Sequence, residues 1–324
     1  MKILMIQFRS LGDCVMITPI IHAVKQKYPD AIIDIITEKQ NKNIFELNPD
    51  INQIIIGDNY FDANIIGIEG KYDKIYRLNM ANLLDTCWHH LPEHQNQNLQ
   101  DWYAKRAEIN DFNDNNFYLY FNEDDEACID DLMFDYPKDK LIAIHTSSGA
   151  HKGNPRVESK DWNKYSELAS ILIDNGYNVI QIGAFNDKKI NDKRVLDATG
   201  KISFKQNALL LKKCELFIGN DSGPSYLASW AGIPSIVIMG STQNYYNQLY
   251  GKLGPFVGPR SNNVHYINSV KPNDCQPVPC YNHCALGNPC IYSIELKTIL
   301  DKIKEIKGIA LDKTIDNTIK FETI

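Results

Sequence analysis

Three stretches of the sequence gather residues whose types and spacing could do chemistry. The richest is Phe217–Thr242, FIGNDSGPSYLASWAGIPSIVIMGST. An apolar strand runs out at Gly219, and Asn220, Asp221, Ser222 and Gly223 turn the chain into a helix beginning near Pro224–Ser225. Backbone N–H groups at a helix N-terminus make an anion site, and the bare backbone of Gly223 allows close approach of a phosphate. Asp221 would repel a phosphate. It suits a neighbouring sugar hydroxyl, or it is the N-cap of the helix. A phosphate site and a plain capped turn both fit this stretch.

The second stretch is Arg9–Asp13, RSLGD, just after an apolar run at Lys2–Phe8. A carboxylate behind a glycine at the end of a strand could act as general base on an incoming hydroxyl. It could equally cap a helix over Cys14–Lys25. The third is His145–Arg156, HTSSGAHKGNPR, where Ser147, Ser148, Gly149, Lys152 and Arg156 form a small, polar, basic loop suited to phosphate. It does not fit the Walker pattern, and Arg9–Asp13 does not fit the dinucleotide G-x-G-x-x-G pattern.

Of the 8 cysteines, Cys14, Cys87, Cys128 and Cys214 are scattered in or beside apolar stretches and read as small buried hydrophobes. Cys275, Cys280, Cys284 and Cys290 crowd into CQPVPCYNHCALGNPC. Prolines and a glycine hold that string in turns, with His283 as a further candidate ligand. In a reduced cytosol such a cluster suggests structural zinc or iron more than disulfides. The spacings are not C-x-x-C, so free thiols or a labile disulfide also fit. The histidines of WHHLPEH, Trp88–His94, read as loop residues near a cleft, and Tyr245, Tyr246 and Tyr250 as packing residues or a surface for a nucleobase.

These residues need elements to hold them. A strand at Lys2–Phe8, a helix at Val15–Lys25 and a strand at Ala31–Thr37 make a βαβ unit. Further strands are expected at Gln53–Ile56 and Tyr72–Tyr76, then a polar stretch His89–Gln100 and a helix Asp101–Ile109. An acidic helix, Glu123–Phe134, leads to a second series. That series comprises strand Leu141–Thr146, helix Lys160–Asn175, strand Asn178–Gly183, helix Phe204–Lys213, strand Leu216–Gly219, helix Ser225–Ala231 and strand Ser235–Met239. Helix stops fall at Gly176 and at Gly232-Ile233-Pro234. Continuous apolar strands alternating with helices imply parallel sheets covered on both faces. The expected class is α/β, with a first domain over 1–137, a second over 138–300, and a helix and weakly ordered tail over 301–324. A cleft lies between the carboxyl ends of the two sets of strands.

Length and composition agree. The 324 residues suffice for two domains of roughly 100–200 residues each. Apolar residues at 44% and charged residues at 23% exclude a disordered or low-complexity chain. A net charge of −6 argues against a protein that holds nucleic acid by charge. No apolar run approaches the roughly 20 residues of a membrane span, and the N-terminus lacks a signal-peptide pattern. The expected location is the cytoplasm.

Taken together, KILMIQFRSLGDCVMITPIIHAVKQKYPDAIIDIIT, AIHTSSGA with DWNKYSELASIL, and FIGNDSGPSYLASWAGIPSIVIMGST resemble the heptosyltransferase family, glycosyltransferase family 9. They come in that family's order and at its spacing. The resemblance implies a GT-B fold, two Rossmann-like domains facing each other across a cleft, and an inverting transfer of heptose from ADP-heptose with no metal in the chemistry. Carried onto this chain, it makes Asp13 the general base. Asp221, Ser222 and Gly223 become the donor-binding turn, and Ser10 and Gly12 the first loop beside the diphosphate. Thr146, Ser147, Lys152, Arg156, Gly183, Asp187 and Asn220 complete the expected donor-binding set. The implied acceptor is a lipopolysaccharide core, another cell-surface glycan or glycolipid, or a protein, with peripheral contact at the inner membrane if it is a lipid.

Three positions depart from the family pattern. Tyr226 stands where the family usually has His. The basic residue before the mid-chain helix is displaced, leaving Arg156, with Lys152 and Lys160 nearby. The acidic residue for the adenosine ribose would have to be Asp187, or Asn186 in its place. Rival readings are a GT-B enzyme of changed reaction and a non-catalytic sugar-nucleotide-binding subunit.

Overall fold

A computed structural model describes the protein over residues 1–8, 10–57, 67–78, 99–147, 160–240, 259, 261–269 and 289–308. Its strands are short, β-branched runs: β1 (Lys2–Ile6), β2 (Ile32–Thr37), β3 (Gln53–Ile56) and β4 (Lys74–Arg77) in the first half. They form a parallel sheet in the order β3-β2-β1-β4. The chain steps outward from β1 to β3, then returns so that β4 flanks β1 on the other side. The switch point therefore lies beside the carboxyl end of β1, where a crevice opens in a sheet of this kind.

The second sheet repeats the logic with β5 (Leu141–His145), β6 (Asn178–Ile182), β7 (Leu196–Asp197), β8 (Leu216–Asn220), β9 (Ser235–Met239) and β10 (Val264–Asn268). Their order is β10-β9-β8-β5-β6-β7, and every pairing is parallel. Here the switch point falls between β5 and β8. All five residues of β5, β8 and β9 are buried, as strands covered on both faces must be.

The helices are α1 (Leu11–Met16), α2 (Thr18–Lys27), α3 (Lys42–Phe45), α4 (Leu99–Arg106), α5 (Glu123–Leu132), α6 (Tyr165–Asp174), α7 (Gln206–Leu211), α8 (Gly223–Ala231), α9 (Pro289–Tyr292) and α10 (Leu296–Lys307). The helix expected over Val15–Lys25 is in fact two, α1 and α2, parted at Ile17. Pro19 in the first turn of α2 is the cause, because proline is tolerated there and disrupts a continuous helix. Two strands were not foreseen. β7 has only two residues, and β10 shows partial exposure along VHYIN. Helix α5 is closed by a capping box between Asn122 and Asp125, and four acidic residues in its first turn complement the helix dipole.

The two sheets share a core. One buried cluster runs from Ile3 and Ile35 through Tyr103 and Ile129 to Phe217, Tyr226 and Leu227. Helix α10 buries Leu296, Ile299, Leu300 and Ile303 among residues of β5, β6, β8 and α6, so it packs on the second sheet and straddles the expected boundary at residue 300. Among the described residues no helix is long and apolar enough to cross a membrane.

Candidate functional site

Where the two halves meet, α1 and α8 touch end to end. A side chain on Gly12 would lie 3.3 Å from the Cα of Gly223 and 3.3 Å from the Tyr226 ring. Two glycines thus let the N-termini of these helices approach closely. Tyr226 is buried at the same junction, edge-on to Phe117 with centroids 5.7 Å apart. The position where the family pattern has a histidine is therefore a packed phenol.

Asp13 stands in the first turn of α1, but it is not the N-cap. That position belongs to Ser10, whose backbone sits at φ 63, ψ 116 without a side-chain cap bond. A non-glycine residue in this region is strained, a feature that collects at functional sites. The Asp13 carboxylate instead accepts a hydrogen bond from the Tyr103 hydroxyl of α4 at 3.0 Å, and another from Ser10. Burial pushes its carboxyl up to about 6. The bonds from Tyr103 and Ser10 and the nearby Lys160 ammonium pull the other way, and the Asp221 carboxylate adds to the rise. A carboxylate ready to take a proton near neutrality suits a general base.

Asp221 is not an N-cap either. Ser222 holds that place on α8, in extended conformation and without a side-chain cap bond. The Asp221 carboxylate is buried and pairs with Lys160 Nζ at 2.9 Å. Asp13, Asp221 and Lys160 therefore share one electrostatic neighbourhood, with the first half of the chain supplying the raised carboxyl and the second the ion pair. Lys160, named only as a neighbour of Arg156 in the sequence, is the cation that the described structure brings to Asp221.

The rest of the expected donor set falls into distinct groups. Asn220 is fully buried. Its Oδ1 accepts from the Tyr165 hydroxyl at 2.6 Å, and its Nδ2 donates to Asp161 at 3.1 Å and the Thr146 carbonyl at 3.3 Å. The Thr146 hydroxyl donates to the Lys188 carbonyl and accepts from Gln181. Ser147 is buried beside Asp161. Asn220 thus ties the end of β8 to that of β5, the Thr146 side chain joins the end of β5 to β6 and Lys188, and all three residues are buried. Asp187 is also buried, accepting from the Ala184 N–H at 2.8 Å and lying 3.3 Å from His145 Nε2. Its carboxylate is thus engaged by the Ala184 N–H and faces His145. Gly183, at φ 138, leaves the room Asp187 occupies.

Arg9, Lys152, Arg156, Cys275, Cys280 and Cys284 lie outside the described residues, as do Trp88–His94, Tyr245, Tyr246 and Tyr250. Cys290 is buried at α9. Among the described residues no group of three or more His, Cys, Asp or Glu side chains could hold a metal ion. Two residues of the site escaped the sequence reading. Tyr103 reaches Asp13 across 90 positions of chain, and no local pattern marks it. His145 had a visible signal, as the last strand residue before the polar loop.

The model of glycosyltransferase family 9 (heptosyltransferase) matches residues 70–275, more than half of the chain. The chain belongs to this family. A curated relative, lipopolysaccharide heptosyltransferase 1 of Campylobacter coli, is 28% identical over 132 residues, which is 40% of this chain and 32% of that protein. This family 9 chain therefore matches only about a third of that relative's length. Among solved structures, E. coli ADP-heptose LPS heptosyltransferase II has a TM-score of 0.66 at 18% identity, covering 94% of this chain and 98% of that one. The iron-containing dodecameric glycosyltransferase TibC of enterotoxigenic E. coli H10407 has a TM-score of 0.65 at 16% identity, covering 97% and 80%. The fold of this glycosyltransferase is accordingly GT-B. The family match begins after α1, so the part played by Asp13 rests on the geometry around it.

Proposed function

We propose that this family 9 glycosyltransferase moves a heptose from ADP-heptose to an acceptor hydroxyl with inversion, Asp13 acting as general base. The observation that carries the reading is the raised carboxyl of Asp13 beside the Asp221–Lys160 pair. The printed name of heptosyltransferase II, which includes ADP-heptose, supports the choice of donor. The acceptor hydroxyl enters from the first-sheet side, and Asp13 Oδ takes its proton as the oxygen attacks the anomeric carbon. Tyr103 and Ser10 hold the carboxylate in place. The bond to the diphosphate breaks on the opposite face, and ADP leaves as an anion.

That charge would be met by the N-terminus of α8, by Ser222 and by Lys160. Donors fixed in advance where charge develops lower the barrier most. The acceptor is a cell-surface glycan hydroxyl, as the name of the Campylobacter relative suggests, and the work is done in the cytoplasm, where a nucleotide sugar is at hand. The Cys275–Cys290 string is outside this chemistry and has at most a structural use.

Titrating ADP, UDP, GDP and CDP into the protein by calorimetry tests the donor. Selective binding of ADP is expected. Preference for another nucleotide would discard the heptosyl reading, and binding of none would favour a non-catalytic role.

A further inference from the structure

One side chain at the carboxyl edge of the second sheet has no part in the proton transfer or in holding the diphosphate. Phe185, just beyond β6, is a large apolar residue left 81% exposed. A lone exposed phenylalanine means little by itself, but this one is built into its place. It stands at the corner of a turn in which the Asp187 N–H donates to the Ala184 carbonyl at 3.1 Å. The Ala184 N–H in turn donates to the Asp187 carboxylate at 2.8 Å. Gly200, at φ 69, packs against this turn and donates its N–H to the Gly183 carbonyl at 2.9 Å. A side chain on Gly200 would come within 2.7 Å of Phe185 Cβ and 2.9 Å of its Cα. The backbone of Phe185 is thus pressed against a glycine while its ring stands in solvent. Lys189 Nζ lies over that ring, 5.9 Å from the centroid. This ammonium is itself held by the Asp197 carboxylate at 2.8 Å and by the Thr199 hydroxyl.

The distance from this ring to α8 follows from the sheet. Strands β8, β5 and β6 are successive and parallel. Neighbouring strands lie about 4.8 Å apart, so the ends of β8 and β6 are about 10 Å apart along one edge. That is the scale of an extended nucleoside diphosphate from its terminal phosphate to its base. The contacts agree with this spacing. Ser222, the N-cap of α8, lies 3.0 Å from His145 at the end of β5. A side chain on Gly183 would lie 2.9 Å from the same histidine ring. A diphosphate at the α8 N-terminus therefore sets its nucleoside across the β5 end and its base at the turn after β6, along the edge where ligands of such sheets lie.

Every nucleobase has a flat π face, and an exposed aromatic ring recognises it by stacking. The carboxylate of the turn is not offered to the ligand, because Asp187 is engaged by the Ala184 N–H and faces His145. We infer that Phe185 is the platform on which the donor's nucleobase stacks, and so the residue that sets how much of the donor's affinity comes from its base. The inference rests on the diphosphate lying at the α8 N-terminus, as proposed above.

Calorimetric titration of ADP into the wild-type protein, Phe185→Ala, Phe185→Leu and Phe185→Trp tests it. Phe185→Ala should bind ADP about fivefold to a hundredfold more weakly, the range for losing one base–aromatic stack. Phe185→Leu keeps apolar bulk without a π face and should lose most of the same factor. Phe185→Trp should stay within about threefold of the wild type. Its added indole fluorescence, read against the wild-type protein with its 4 tryptophans, should be quenched by ADP and left unchanged by inorganic pyrophosphate, which has no base.

Full affinity for ADP in Phe185→Ala or Phe185→Leu, or Phe185→Trp as weak as Phe185→Ala, would overturn the inference while the donor reading stands. So would an added indole signal that ADP leaves unchanged or that pyrophosphate quenches equally. A wild-type protein that does not bind ADP would overturn the donor reading and the inference with it. Because the ring is exposed, the unliganded Phe185→Ala protein should melt within about two degrees of the wild type, which separates lost affinity from lost fold. If it melts lower than that, the Phe185→Trp signal decides.

Discussion

Asp13 is held at the cost of stability. Its carboxyl sits at about 6 in the folded protein against an ordinary 3.8. The folded state therefore binds more protons than the unfolded one between those values, and stability falls as pH rises through that window. Above it the ionised group costs about 1–3 kcal/mol. Asp13→Asn should raise the melting temperature by a few degrees at about pH 8 and change it little near pH 4. Thermal melts at the two pH values check this, and equal shifts at both would contradict it.

Tyr103 acts on the same carboxylate in the opposite sense, because its hydrogen bond lowers the carboxyl. Tyr103→Phe should move the acidic limb of the kcat/KM profile upward by about half a unit to one unit, with a small loss of rate at high pH. A limb that stays in place would separate Tyr103 from the base. Asp13 stood out in the sequence as a candidate base because it follows Ser10 and Gly12 at the end of a strand. Tyr103, His145 and Lys160 were hidden as partners because the contacts that give them a role span 90, 77 and 61 positions.

At the scale of elements, the contact between α1 and α8 decides whether Asp13 and the Asp221–Gly223 turn, the proposed base and donor site, meet. Glycine is needed at both ends of it. A side chain on Gly223 would lie 2.9 Å from two ring carbons of Phe204 and 3.4 Å from the Gly12 nitrogen. Gly223→Ala should destabilise the protein by about 1–3 kcal/mol through overpacking and weaken ADP binding. Chemical denaturation together with nucleotide titration would show both, and an unchanged protein would mean that the junction is slack.

Most elements could be read in advance, because strands of a parallel sheet are continuous apolar runs and helix ends carry proline or glycine. Gln53–Ile56 and Ser235–Met239 fall on their expected residues. The break at Ile17 was missed because the apolar period continues across it, with Ile17, Ile20, Ile21 and Val24 all buried. Strand β7 was missed because two residues carry no period.

Across the whole molecule, the two sheets do not have separate interiors. The shared cluster from Ile3 to Tyr226 is reinforced by polar ties from α5 and the residues just before it to α7 and its flanks. Lys205 Nζ donates to the Tyr120 carbonyl at 2.8 Å, Gln206 to Asp125 at 3.0 Å, and Lys213 to Asp130 at 2.8 Å. Unfolding should therefore be one cooperative step, with near-ultraviolet and far-ultraviolet circular dichroism giving coincident melts. ADP at about 100 times its Kd should shift both together, adding about 2.7 kcal/mol. Two separated transitions would show that the halves fold independently. This unity was not legible, since the sequence displays two series of strands and nothing local tells whether their cores join.

The central claim is that Asp13 removes the acceptor's proton, and the most direct measurement compares Asp13→Asn with the wild-type protein in ADP-heptose turnover and in ADP binding. Turnover lower by about a hundredfold to ten-thousandfold, with affinity for ADP kept within about threefold, is the predicted result. A variant that turns over at the wild-type rate would show that another group is the base.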